Sequence, residues 1–142
     1  MKFKIIITLV ALSLLDVASA KDVVWYSGGQ VTYSTQKNYG TVVAKALDMF
    51  SSDMKAVTGK PARKGPGKIE IYQLDMLTQK EFKALSVYKL PIEKIIDNPD
   101  AFWMGTRNDK VVIVGSNGRG TAYGILELSR KAGVSPWVDW GD

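Results

Sequence analysis

The chain has 142 residues, 19 Lys and Arg against 14 Asp and Glu, a net charge of +5, and neither histidine nor cysteine. Without histidine it lacks the commonest general base and the commonest metal ligand, so Ser-His-Asp catalysis, Cys-His catalysis and ordinary zinc sites are excluded, and without cysteine no disulfide staples the fold. The length suits one domain with its own core, falls well short of the roughly 250 residues of a (β/α) barrel, and the modest charge comes without the aromatic-interleaved basic stripe that would point to nucleic acid.

The N-terminus opens with Lys2 and Lys4, continues in an apolar run over residues 5–15 broken only by Thr8 and Ser13, and reaches Ala18-Ser19-Ala20. This is the three-part build of a secretory signal peptide. The apolar run is too short for a bilayer core of about 30 Å. Cleavage after Ala20 is expected, leaving residues 21–142 as one exported domain, periplasmic or extracellular, with no membrane attachment. No cysteine follows the cleavage point to carry a lipid anchor.

Residues 22–26 and 30–35 read as strands around Ser27-Gly28-Gly29, with Val31 and Tyr33 alternating against Thr32 and Ser34. From Asn38, a plausible cap, Val42, Val43, Ala46, Leu47, Phe50, Met54 and Val57 recur at helical steps, and Gly59 and Pro61 end the run. Residues 61–68 form a basic loop rich in Gly and Pro; its Arg63, Lys64 and Lys68 are able to touch an acidic ligand, but a solvated connection is the better reading. A strand over 69–74 precedes a short helix started by Thr78 and Glu81 in capping-box spacing and carrying Phe82 and Leu85. Residues 90–100, bounded by Pro91 and Pro99, read as an irregular or short helical connection. Glu93 and Asp97 there are four apart, and a solvated face is the better reading than an acid/base pair. Strands over 101–106 and 110–115 flank Asn108-Asp109, residues that tolerate the positive φ of a tight hairpin. Val111 to Val114 are continuously apolar, as in a central strand covered on both faces. A last helix over about 120–131 presents Ala122, Ile125, Leu126, Ser129 and Ala132 on one face and stops at Gly133. The sum is an α/β (α+β) fold: a mixed sheet of about five strands packed by about three helices.

The densest signal runs from Val111 through Gly115-Ser-Asn-Gly-Arg-Gly-Thr-Ala-Tyr-Gly124. A buried strand enters a helix through a glycine-rich turn, the arrangement in which phosphates meet helix N-termini. A dinucleotide fold places that turn early and follows it with further βα units, and the Walker pattern is absent, so nucleotide binding gives way to packing. Gly120 and Gly124 share a helix face and allow close approach to the sheet; Gly118 is expected to adopt a backbone conformation other residues resist.

Residues 112–124, then Glu127-Leu-Ser129, Ala132-Gly-Val-Ser-Pro-Trp137 and Trp140 to Asp142, resemble the end of the N-terminal domain of glycoside hydrolase family 115, the xylan α-1,2-glucuronidases. Residues 42–61, ending Ala56-Val-Thr-Gly-Lys-Pro61, are similar to the family's first helix and its exit. The helix start is also similar to N-terminal domains of β-hexosaminidases and family 67 α-glucuronidases. The strand over 69–75 departs from the family by lacking a glycine-threonine ending. The resemblance implies a β-hexosaminidase N-terminal-domain-like fold with an accessory role in xylan degradation. The catalytic carboxylates then belong to a (β/α) barrel that in the family follows near the position of Asp142. No catalytic, metal or cofactor residue is therefore expected in this chain.

Three residues remain as candidates for carbohydrate binding or a domain interface: Arg119, Trp137 and Trp140. Arg119 sits at a helix N-terminus, where the helix dipole disfavours positive charge. It calls for a carboxylate: Asp109, Asp139 or Asp142 internally, or one on a neighbouring domain or an acidic sugar. The two tryptophans suit sugar faces or the contact with a barrel. Trp103 reads as core, and Glu127 with Arg130 and Lys131 as a surface helix pair. The expected partner is the catalytic barrel or a polysaccharide, with no nucleic acid; the alternative function is a small exported carbohydrate-binding module.

Overall fold

The structure, a computed structural model, describes residues 5–8 and 22–133. It contains β1 (Ile5–Thr8), β2 (Asp22–Tyr26), β3 (Thr32–Thr35), α1 (Thr41–Thr58), β4 (Arg63–Lys64), β5 (Ile69–Gln73), α2 (Gln79–Leu85), β6 (Phe102–Arg107), β7 (Lys110–Gly115) and α3 (Gly118–Lys131). Short 3-10 turns follow β5 and α2 and recur at Ile92–Lys94. Five strands form one mixed sheet in the order β4-β3-β5-β7-β6. β4, β3, β5 and β7 run parallel, and β6 is antiparallel to β7. This is the α/β architecture the sequence predicts, three helices and a five-stranded mixed sheet, except that β4 takes the fifth place in it and the expected strand over 22–26 lies outside, paired with β1.

The sheet is covered on both faces, and side-chain alternation explains how. Ile69, Ile71, Val111 and Ile113 face one side, where α1 supplies Val43, Ala46, Leu47, Phe50 and Met54, and α3 supplies Ala122, Ile125 and Leu128. Val112 and Val114 face the other side and pack with Leu74, Leu85 and Ile95. The continuously apolar run at Val111–Val114 thus marks a strand buried on both faces, as expected. Val23, Trp25 and Tyr26 of β2 join the first core, with the Trp25 ring 6.4 Å from that of Phe50.

Local signals set most boundaries. Asn108 and Asp109 adopt φ of 51° and 62°, the two left-handed residues of a tight hairpin. Gly59 (φ 90°) and Gly133 (φ 93°) terminate their helices. The Thr78–Glu81 capping box forms in both directions. Other expectations shift. α1 starts at Thr41 behind Gly40, not at Asn38: Gln36 donates to the Asn38 carbonyl (2.9 Å), and the Gly40 N–H donates to the Gln73 side chain (2.8 Å), which keeps that connection out of the helix. Val42 consequently lies 44% exposed. In α3 Leu126 points outward and Leu128 takes the buried position. The basic loop contains β4, a two-residue edge strand.

Ile5–Thr8, inside the apolar run read as a leader, pairs antiparallel with β2 in a separate two-stranded ribbon, Ile6 opposite Val24 and Ile7 opposite Val23. Three consecutive isoleucines suit a strand as well as an apolar leader. Lys2, Lys4 and the Ala18-Ser19-Ala20 step lie outside the described residues.

Candidate functional site

The glycine-rich turn joins β7 to α3 at the carboxyl end of the parallel strands. A Cβ on Gly115 would lie 2.2 Å from the Thr121 backbone nitrogen, one on Gly120 2.2 Å from the Ala101 carbonyl oxygen, and one on Gly124 2.5 Å from a methyl of Ile113. These three glycines let α3 sit directly on β6 and β7, as the packing reading of Gly120 and Gly124 requires. Gly118 differs from expectation: it is the first residue of α3, its φ is not positive, and a Cβ there meets only ordinary contacts at 3.7–4.0 Å. The Asn117 side chain caps the helix by accepting from the Gly120 N–H (2.8 Å), and the Thr121 hydroxyl donates to the Asn117 carbonyl (2.8 Å).

Arg119 stands 65% exposed beside this turn. Its guanidinium lies 3.7 Å from the carboxylate of Asp100 and donates to the Tyr123 hydroxyl (3.2 Å). The helix-terminal arginine therefore has an internal counter-charge, but not one of those anticipated. Asp109 instead pairs with Lys68, and Asp139 and Asp142 lie outside the described residues. Asp100 holds a positive φ of 59° and also accepts from the Asn117 side chain (3.1 Å), which aims its carboxylate at the start of α3. No sequence spacing links Asp100 to Arg119; the contact follows from β6 lying beside β7. Trp137 and Trp140 are outside the described residues. Trp103 is half-buried against the second core, under the Arg107 guanidinium at 4.8 Å.

A second polar cluster escapes sequence reading. Glu70, on β5, is 7% exposed. Its carboxylate accepts from Tyr72 (2.6 Å), Tyr88 (2.8 Å) and Lys110 (2.7 Å). Burial works to raise its pKa, but the hydrogen bonds from Lys110, Tyr72 and Tyr88 outweigh it and hold the carboxyl below its ordinary value. Burial, and then the hydrogen bond to Glu70, push both tyrosines well above their ordinary value. All the carboxylate's strong partners are donors fixed in place, so the arrangement clamps the turn at Ser86–Tyr88 to the sheet rather than poising a proton for transfer. The alternation Ile69-Glu70-Ile71-Tyr72 reads as half-solvated. The signal against that reading is the neighbouring strand, whose Val112 and Val114 already announce a covered second face.

Among the described residues no group of three or more His, Cys, Asp and Glu is placed to hold a metal ion, and no helix is long and apolar enough to cross a membrane. Glu93 and Asp97 do not share a helix; only a 3-10 turn at Ile92–Lys94 forms there. Glu127 pairs with Arg130 (2.9 and 3.1 Å) on the surface of α3, as its spacing suggests. A shallow depression of about 430 Å³ lies against α2, lined by Leu77, Thr78, Gln79, Phe82 and Lys83, and brings no acid/base pair together.

No family model and no curated protein matches this chain. Among solved structures it is similar to a family GH115 4-O-methyl-α-glucuronidase with specificity for decorated arabinogalactans, at 32% identity and a TM-score of 0.64. The match covers 78% of this chain and spans 14% of that one. In fold and in sequence, this chain therefore carries a small domain related to glycoside hydrolase family 115.

Proposed function

We propose that the chain is the non-catalytic N-terminal domain of an exported α-glucuronidase-type hydrolase acting on glucuronoxylan, and that the catalytic barrel is its partner. The observation that carries this reading is the size of the match: the domain answers to 14% of a much longer glucuronidase chain. The side-chain chemistry agrees with it. Glu70 is committed to a clamp, and Arg119 to Asp100 and Tyr123. On this reading Arg119, Trp137 and Trp140 face the barrel.

Two measurements test it. The purified chain is expected to release no 4-O-methylglucuronic acid from glucuronoxylan or from decorated arabinogalactan; release above the blank defeats the non-catalytic assignment. Protein recovered outside the cytoplasm is expected to begin at Lys21 on N-terminal sequencing. A chain retained inside the cell with Met1 intact defeats export.

A further inference from the structure

The strand registers line up basic residues across one face of the sheet. Arg63 is opposite Thr32, and Arg107 opposite Lys110. Tyr33, Ile69 and Val111 are in register across β3, β5 and β7, so the residues one step earlier, Thr32, Lys68 and Lys110, form the adjoining row. The Val111 N–H donating to the Lys68 carbonyl (2.7 Å) carries the ladder through this point. Residues in register project to the same face. The contacts of Lys110 with Glu70 and of Arg107 with the Tyr88 carbonyl (3.1 Å) identify it as the face opposite α1 and α3. Arg63, Thr32, Lys110 and Arg107 lie on β4, β3, β7 and β6, and Lys68 immediately precedes β5, so the row crosses the sheet from edge to edge, roughly 19 Å at the usual strand spacing.

Four cations in this row meet two carboxylates, Asp109 on Lys68 and Glu70 on Lys110. Among the described residues neither Arg63 nor Arg107 forms an ion pair, although Arg107 already donates to the Tyr88 and Thr106 carbonyls (3.1 and 3.0 Å), so the free fork in the row is that of Arg63. Lys68 and Lys110 remain 45% and 39% exposed. Edge strands often carry cations merely to discourage pairing with other chains, and Arg63 and Arg107 lie on edges. That explanation fails for Lys68, at the start of the central strand β5, and Lys110, in the inner strand β7, where no edge needs protection.

We propose that this row is a docking strip for a polysaccharide chain bearing uronic-acid carboxylates. The inference rests on the glucuronidase-domain reading for the identity of the polymer. Arginine forks match carboxylates in geometry as well as charge. A linear row suits an extended chain better than a compact ligand.

The test is affinity electrophoresis of the purified chain in glucuronoxylan, in the same xylan after carboxyl reduction, and in dextran sulfate. Retention by glucuronoxylan is expected, weakening with added salt and absent after carboxyl reduction. The double variant Arg63→Glu, Lys68→Glu is expected to bind about tenfold more weakly or worse, with unchanged thermal unfolding. Arg63→Gln, Lys68→Gln serves if charge reversal perturbs folding. No retention of the wild type, equal affinity for the reduced xylan, undiminished binding by a folded variant, or equal retention by dextran sulfate each overturns the proposal. These outcomes are separate from the fate of the domain assignment, which turns on uronic-acid release by the chain alone.

Discussion

Gly118 and Gly120 sit two positions apart in the same turn and tolerate a methyl group very differently. At Gly120 the added atom meets the Ala101 backbone, which has nowhere to move, so Gly120→Ala is expected to cost about 1–3 kcal/mol in urea unfolding. Gly118→Ala meets only Gln73 and Val42 at ordinary distances and should stay within about 0.5 kcal/mol of the parent. Glu70 makes a pH-dependent contribution. Its carboxyl is held below the ordinary 4.5, so the folded state gains from its ionisation above that value and loses the gain as pH falls through the depressed one. Glu70→Gln is expected to flatten the fall in unfolding midpoint below about pH 4.5. At neutral pH it should cost about 1–2 kcal/mol, a figure kept modest because Lys110 is partly solvated.

Between single residues and the whole sheet, the elements divide by how far their signals reach. The hairpin turn, the capping box and the glycine stops are written within a few residues of where they act, and each forms where the sequence places it. The start of α1 is set from a distance. Gln36 and Gln73 exchange bonds across 37 positions, and Gln73 then holds Gly40, a tie no local pattern announces. The same reason hides the Asp100 partner of Arg119 and the Glu70 clamp, whose members come from β5, β7 and the turn after α2. The packing role of Gly120 and Gly124 was legible because strand, turn and helix are contiguous. Thr78→Ala tests the local kind of control. Loss of its cap should cost about 1 kcal/mol by denaturant midpoint, without altering the sheet.

At the scale of the molecule, two demands meet on the N-terminal segment. The structure pairs Ile5–Thr8 with β2, while the leader reading removes it. If cleavage occurs, β2 keeps Val23, Trp25 and Tyr26 in the core but gives up its hydrogen-bonded neighbour. Hydrogen exchange should then show the amides of residues 22–26 less protected in a chain starting at Lys21 than in the full chain. Equal protection would mean that another segment takes the place of β1. The β6–β7 hairpin bears on a different question, the order of events in time. It closes over two residues, whereas β3, β5 and β7 must find one another across long intervening stretches. Closing long loops before any contact rewards them is slow. The hairpin with α3 laid on it is thus the natural nucleus. Stopped-flow kinetics of Ile113→Ala, whose side chain packs between the hairpin and α3, should show slower refolding, while Phe50→Ala, in the later-docking α1, should chiefly hasten unfolding.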